Sequence, residues 1–350
     1  MSELQVQDLY GDGLRIPDIN VAPDGTVLAL GESGRQIRRS TDRGQTWSPA
    51  AEIAADAGGS TVVDTVTGDV LLVQPRAGRL WRSRDCGVTW EGEDITVEAN
   101  PYGHGAPGKV PVLVNCSESG LTLQHGEYAG RLLMPGRCQP PNGNNDQEWW
   151  PYNYNTSVFS DDRGRTWRVG DPVQGGTGEG TLAELSDGRV YYNSRCHMAV
   201  DHRRRIAWSH DGGKMWVDWQ VSEWLYEIGE PFYFKYGSKP SYGCNAGLAR
   251  LPLGATDGRD VLVYSAPDNP GGHRLRMTVW ASFDGARTWP VKRLVDEGIS
   301  AYSSITAGPD GTCYLLYERA EEELYEKIAV AVFDLDWLCE GKDWRTFSSD

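Results

Sequence analysis

Ser160-Asp161-Asp162-Arg163-Gly164-Arg165-Thr166-Trp167 decides the fold, because the chain repeats its pattern, S-x-D-x-G-x-T-W, at intervals along its length. The other copies are Ser40 to Trp47 (STDRGQTW), Ser83 to Trp90 (SRDCGVTW), Ser209 to Trp216 (SHDGGKMW) and Ser282 to Trp289 (SFDGARTW). The last two are degenerate, with Met215 for Thr and Ala286 for Gly, as expected of repeats that keep a shape rather than a reaction. Successive copies start 43, 77, 49 and 73 residues apart. The shorter intervals match one four-stranded propeller blade, and the longer ones match a blade with insertions or a second blade lacking the octapeptide. Within each copy, Ser and Asp followed by Gly is turn chemistry: the carboxylate accepts backbone N–H groups of its own hairpin while Gly supplies a left-handed residue. The Trp is placed to fill the gap to a neighbouring strand. A calcium role is not expected, since each copy brings one conserved-position acid and calcium takes several oxygens at once.

Outward from the octapeptides, the chain reads as turn, then strand. Pro23-Asp24-Gly25 leads into Thr26 to Leu30, Asp64 to Gly68 into Asp69 to Val73, Ser186-Asp187-Gly188 into Arg189 to Tyr192, and Pro309-Asp310-Gly311 into Thr312 to Leu316. Alternation and β-branched content make the fold all-β, and the acidic run Arg319 to Lys327 is the one stretch with helical character. No composition shift marks a second domain, so residues 1–350 are expected to form one. Residues 91 to 157, rich in Gly, Pro, Asn and Trp, are expected to form long loops over one face, with Trp149 and Trp150 as a candidate platform for stacking a sugar. Arg203-Arg204-Arg205 is expected on a solvated turn before the fourth octapeptide.

The 350 residues carry a net charge of −15 with no long block of like charge, which argues against nucleic acid and anionic membrane as partners. An acidic protein that binds an acid needs a local basic pocket to do it. The start, MSELQVQDLYGDGLRIP, has neither a basic n-region nor an apolar h-region, and the expected location is cytoplasmic. The 7 cysteines are scattered and never in C-x-x-C spacing, so they are expected as small buried thiols. The 6 histidines show no metal-ligand spacing either, and no metal or cofactor is expected.

A family resemblance rests on motifs outside the octapeptides. Arg15-Ile16-Pro17, followed by several Asp boxes, resembles the sialidase (neuraminidase) superfamily, in which the Arg-Ile-Pro motif carries the first of three arginines gripping the substrate carboxylate. Gly178-Glu179-Gly180-Thr181-Leu182-Ala183-Glu184, continuing to Asn193-Ser194-Arg195, is similar to the stretch with the family's catalytic Glu and second arginine, which assigns those roles to Glu179 and Arg195. Arg274-Leu275-Arg276-Met277 resembles the segment with the third arginine, and Arg274 fits that position better than Arg276. Ala301-Tyr302-Ser303-Ser304 matches the nucleophile motif, and Leu316-Tyr317-Glu318 the strand whose Glu braces the first arginine. Ile328 to Leu338 resembles the family's final strand. The likeness implies a six-bladed β-propeller with Asp-box hairpins and an exo-glycosidase site taking an acidic sugar or glycan.

The set makes physical sense without the name. Three guanidiniums converging on one point form a fork for a carboxylate, with charge-assisted hydrogen bonds of about 1.5–3 kcal/mol each. Sugar acids that bear the carboxylate on the anomeric carbon repel an anionic nucleophile, and a neutral phenol avoids that repulsion. Tyr302, with an unperturbed pKa near ~10, needs a base, and Glu179 is the carboxylate for the task.

Two departures from the family pattern fall on other sides of the substrate. Sialidases carry an acid/base Asp on a loop before the first Asp box, whereas here Leu30 is joined to Ile37 by Gly31 to Gln36 alone, with Glu32 the one acid left. Where the family has an Asp touching the acetamido side, in a G/A-D-P-S phrase, this chain reads Ala57-Gly58-Gly59-Ser60, with Asp56 displaced. Proton donors to consider are Glu32, Asp56, His104 or water. Three readings stay open: a retaining exo-glycosidase of a sialic-acid-like nonulosonic or ulosonic acid, a uronate lyase using Tyr302 and Glu179 for β-elimination, and a catalytically impaired receptor for acidic glycans.

Overall fold

The computed structural model describes residues 3–11, 13–100, 112–114, 118–139, 153–199, 201–228, 243–270 and 272–347, with backbone alone at 112–114 and 139. The fold is all-β, and neighbouring strands in sequence pair antiparallel through short turns. Three sheets have four strands each: Asp18–Val21 through Ala51–Glu52, Ser60–Val63 through Glu91–Asp94, and Thr177–Glu184 through Val217–Tyr226. A six-stranded sheet is built on Leu132–Gln139, Tyr154–Ser160 and Thr166–Val169. The last sheet has seven strands, because the 17 residues of Val291–Ala307 pair with Leu275–Ser282 along their first half and with Cys313–Ala320 along their second. Six separate blades are therefore not what the hydrogen bonding delivers, and the described residues form five sheets.

Apolar packing between sheets arranges them as a propeller. Leu28 and Leu30 of the first sheet meet Val70 and Leu72 of the second. Leu71 and Leu80 meet Leu132 and Met134 of the third, and Leu133 and Phe159 there meet Leu182 and Val190 of the fourth. Ala183 and Tyr191 pack on Leu248 and Leu262 of the last sheet, and Leu316 and Val330 of that sheet return to Ile19 and Val27 of the first. The contacts thus close into a ring. The N-terminal strand Gln5–Tyr10 pairs antiparallel with Lys327–Phe333, so the chain's first strand completes its last sheet.

The octapeptides are the hairpins of this ring. In the first, Asp42 accepts hydrogen bonds from Ser40 Oγ (2.7 Å), the Thr46 N–H (2.9 Å) and Thr46 Oγ1 (2.5 Å), while the Gly44 N–H donates to Ser40 Oγ (2.8 Å). Arg43 and Gly44 take φ of 62° and 80°, and this pair of left-handed residues recurs at Cys86-Gly87, Arg163-Gly164, Gly212-Gly213 and Gly285-Ala286. Ala286 thus carries a left-handed conformation that glycine adopts without strain. The Trp residues pack on the preceding sheet: Trp47 against the cluster of Tyr314 and Val332, Trp167 against that of Leu71 and Leu80, and Trp289 against that of Ala183 and Tyr191.

Two expectations are corrected. Arg319 to Lys327 is not helical: Arg319 belongs to the strand Cys313–Ala320, Glu321 to Glu326 form a turn, and Tyr325 has φ of 74°, which no α-helix admits. The one α-helix among the described residues is Leu335–Leu338, capped by Asp334, so the closing strand ends at Phe333. Arg203-Arg204-Arg205 is not a solvated turn either. It opens the strand Arg203–Ser209 and turns Arg204 inward, where Glu227 pairs with it at 3.1 Å and Asn193 Oδ1 accepts its Nε at 2.7 Å.

Candidate active site

The sequence-predicted arginines, Glu179, Tyr302 and Glu318 come together in one cluster, each beside a break in backbone regularity. Arg15 precedes Ile16, whose φ is 61°. Glu179 sits in a register shift between Thr177 and Gly180, so that Gly178 and Glu179 together oppose Arg195 on the adjacent strand. Tyr302 lies in the shift between Ser300 and Ser303. Arg274 stands just before the shift between Leu275 and Met277, with Arg276 at φ 67°. An extra residue in one strand re-aims its side chain away from the pleat, as at Glu179 and Tyr302. Glycine makes room on either side of Glu179: a Cβ on Gly178 would lie 1.9 Å from His197 Nε2, and one on Gly180 would lie 2.3 Å from the Tyr192 ring.

The Tyr302 hydroxyl donates to Glu179 Oε1 at 2.7 Å, and Arg195 Nη1 donates both to Glu179 Oε2 (2.9 Å) and to the Tyr302 oxygen (3.1 Å). Glu318, fully buried, accepts Arg15 Nε (3.1 Å), the Ile16 N–H (3.0 Å) and the Tyr302 N–H (3.1 Å). One carboxylate therefore ties the first arginine to the backbone of the tyrosine. The guanidinium carbons of Arg15 and Arg274 lie 5.2 and 5.3 Å from the centre of the Tyr302 ring.

Burial alone would raise the Glu179 pKa. Arg195, the largest opposing influence, together with His197, Arg137 and the Tyr302 hydrogen bond, instead holds it well below the usual carboxylate range. Burial and then Arg195 push His197 well below the usual imidazole value, so at neutral pH the charges facing Glu179 are those of Arg195 and Arg137. Burial and then Glu179 raise the Tyr302 phenol, against Arg195 and Arg274. The resting proton thus belongs to Tyr302 and the negative charge to Glu179. Burial weighs against the guanidiniums as well, yet Glu318 keeps Arg15 raised, Glu179 keeps Arg195 raised, and Cys244 and Tyr325 keep Arg274 raised. Such a cluster of charged guanidiniums around a neutral phenol is a place for an anion.

The acids expected to supply a proton lie on turns, and the turn of Glu32 adjoins the Arg15 segment, where the Ser33 N–H donates to Arg15 O at 3.3 Å. Glu32 sits on the hairpin between Val27–Gly31 and Gln36–Ser40, at φ 53°, and is ion-paired with Arg35. Asp56 is exposed on a turn. His104, Trp149 and Trp150 lie outside the described residues.

Sequence reasoning missed Arg137, His197 and Tyr325. Arg137 Nη1 is 4.0 Å from Glu179 Oε1, and His197 Nε2 is 3.7 Å from Glu179 Oε2. His197 follows Arg195 by two residues, and that strand spacing was a readable signal for a shared face. Arg137 sits one residue past Gly136 in a strand whose described residues are buried, and an arginine there needs a carboxylate partner. Tyr325 gave no signal, hidden in the acidic run Glu321 to Glu326.

A ring of sheets stitched by Ser-Asp-Gly-Trp hairpins, with arginines clustered on a Tyr–Glu pair, defines an Asp-box β-propeller. Residues 36–315 match the BNR repeat-like domain family. A sialidase from Micromonospora viridifaciens is 30% identical across 93% of this chain and 52% of its own length, so the chain spans about half of that relative. Among solved structures, a Hadza microbial sialidase superposes with a TM-score of 0.68 at 23% identity, covering 93% of this chain and 66% of that one. The intramolecular trans-sialidase from Ruminococcus gnavus gives 0.66 at 16% identity, covering 95% and 96%. The chain belongs to the sialidase/BNR-repeat superfamily.

Proposed function

We propose that the protein is a retaining exo-glycosidase that releases a terminal sialic-acid-like nonulosonic or ulosonic acid. The observation that carries this reading is the Tyr302–Glu179 hydrogen bond of 2.7 Å with Arg195 donating to both partners. Arg15, Arg195 and Arg274 grip the substrate carboxylate. The carboxylate also draws off part of the positive field that holds Glu179 ionised, which raises the basicity of Glu179 when it is needed. The Tyr302 oxygen then attacks the anomeric carbon as its proton passes to Glu179, and the bond to the aglycone oxygen breaks, that oxygen leaving with a proton from solvent or a nearby acid. Water attacks the anomeric carbon and cleaves the tyrosyl–sugar bond, giving up one proton to solvent or that same acid while Glu179 returns its proton to the phenol. The names of the relatives support the substrate class.

A second reading, a receptor for acidic glycans, is favoured by one observation: Glu32 is engaged with Arg35 and Asp56 faces solvent. One experiment separates the readings. Aryl α-ketosides of N-acetylneuraminic acid, its deaminated analogue and 3-deoxy-octulosonic acid are offered to wild type and to Tyr302→Phe. An activated aryl group leaves with little protonation, so turnover by wild type and its collapse in the variant are expected. Binding without turnover favours the receptor, and an ultraviolet-absorbing unsaturated product favours a lyase.

A further inference from the structure

Tyr325 is bound to two of the three arginines at once. Its hydroxyl accepts Arg274 Nη1 at 2.8 Å, and the Arg15 guanidinium carbon lies 3.6 Å from the centre of its ring. With the Tyr302 ring 5.2 and 5.3 Å from the same two guanidiniums, the arginines and tyrosines alternate around a box. Tyr325 takes φ of 74°, a conformation uncommon for any side chain other than glycine and costly for an aromatic one. Its neighbour explains how it is held. The Glu326 carboxylate gathers the N–H groups of Glu321 (3.0 Å), Glu322 (3.1 Å) and Glu323 (2.8 Å), and the Glu326 carbonyl accepts the N–H of Gly13 (3.3 Å), two residues before Arg15.

We infer that Tyr325 is the positioning residue of the carboxylate clamp, which sets the spacing of Arg15 and Arg274 before substrate arrives. The inference rests on the clamp reading above. Two guanidiniums facing one empty site repel each other, and a fork left to relax must be re-formed at each binding event. A ring stacked on one and a hydroxyl bonded to the other hold both in place, so that the ordering cost is met in folding rather than in binding. The acidic turn is then the outer anchor of the clamp, joining it to the segment that carries Arg15.

The test is calorimetric titration with 2,3-dehydro-2-deoxy-N-acetylneuraminic acid and with its methyl ester, on wild type, Tyr325→Phe, Tyr325→Leu, Arg15→Ala and Arg274→Ala. Phe keeps the stack and removes the hydroxyl, and affinity for the acid is expected to fall roughly 3- to 10-fold. Leu removes the stack too and is expected to cost a further ~2- to 5-fold. Ester binding and the unfolding midpoint are expected to stay at the wild-type value in Tyr325→Phe. Placed in the Arg274→Ala background, Tyr325→Phe is expected to add nothing, since its hydrogen-bond partner is gone. With an aryl ketoside the same change appears as a raised KM at nearly constant kcat. If Tyr325→Phe and Tyr325→Leu bind the acid like wild type while the arginine variants do not, the positioning role is overturned and the clamp stands. If wild type binds neither this acid nor its deaminated analogue, or the arginine variants bind as tightly as wild type, the clamp fails and the inference with it.

Discussion

Glu179→Gln tests the centre of the site with the least change of shape. The carboxylate accepts the Tyr302 hydroxyl at 2.7 Å on one oxygen and Arg195 Nη1 at 2.9 Å on the other. An amide has one acceptor, and Arg195 can only donate, so the amide oxygen turns to Arg195 and its NH2 faces the phenol. Tyr302 then becomes the acceptor, and its proton has no base to go to. Losing general-base assistance costs typically ~10²–10⁴-fold, about 3–5 kcal/mol of transition-state stabilisation, and the expected fall in kcat is of that size. Binding should move the other way. The variant removes a negative charge beside the clamp, so affinity for an unsaturated sugar acid is expected to hold or to improve. The assay is steady-state turnover of an aryl ketoside beside calorimetric binding. A kcat within about threefold of wild type, or a binding loss as large as the kcat loss, refutes the assignment of Glu179 as base. The pH profile follows from the same field. A depressed carboxylate contributes its share of stability and activity above the unfolded value and loses it as pH falls through the folded one, so the acid limb of kcat/KM is expected below the ordinary glutamate pKa of ~4.3.

Three other perturbations read separate parts of the molecule. Arg204 and Glu227 form a buried pair at 3.1 Å, and Glu227→Gln, which strands the Arg204 charge, is expected to cost ~3–5 kcal/mol in denaturant unfolding, against a much smaller change when both are replaced by apolar residues of similar volume. Glu118 is buried beside Asp18, and burial and then Asp18 raise its pKa well above the usual range. An acid raised in the folded state destabilises as pH climbs from its unfolded toward its folded pKa, so Glu118→Gln is expected to gain in melting temperature over wild type as pH increases, and a gap that does not widen counts against the buried acid pair. Gly58→Asp restores the acid of the family's acetamido phrase at a position without positive φ, where the nearest atom to a new Cβ is the flexible Gln74 Nε2 at 3.3 Å. It is expected to fold and to raise the ratio of kcat/KM for the N-acetyl over the deaminated ketoside, and an unchanged ratio removes Gly58 from the N-acyl side.

What could be read from the sequence was what repeats within it and what matches the motifs of a resembled family in their order. The octapeptide is a local device, complete within eight residues, and its hydrogen bonds depend on nothing distant. Glu179 and Arg195 were readable through the family resemblance of Gly178-Glu179-Gly180 and Asn193-Ser194-Arg195, and the paired strands bring the two side chains to 2.9 Å. Tyr325 was not, because its meaning depends on the backbone turning left at one residue, which Glu326 enforces through three N–H groups contributed by a run of acids. Periodicity registers those acids as helix formers and is blind to a carboxylate that folds back on its own chain. Arg204 was misread for a related reason. Three consecutive arginines look like a solvated surface, but a strand alternates faces, and Glu227, far along the chain, makes the inward one tenable.

The two departures from the family pattern belong to one piece of structure. Gly59 donates its N–H to Ser33 O at 2.8 Å, and the Ser33 N–H donates to Arg15 O at 3.3 Å, so the short hairpin lies between the Arg15 segment and the Gly58-Gly59 pair. A Cβ on Gly34 would lie 2.9 Å from Gly59 O, and one on Gly59, at φ 122°, would lie 2.0 Å from Val73 O. Shortening the first loop lets the hairpin tip drop onto the glycines, and the glycines leave the space for it to do so. An acid on a longer loop and a bulkier residue at Gly59 could not both return without parting this contact. Under the glycosidase reading, the two departures are therefore expected to act together, so that a longer first loop and an acid at Gly58 are coupled changes rather than independent ones.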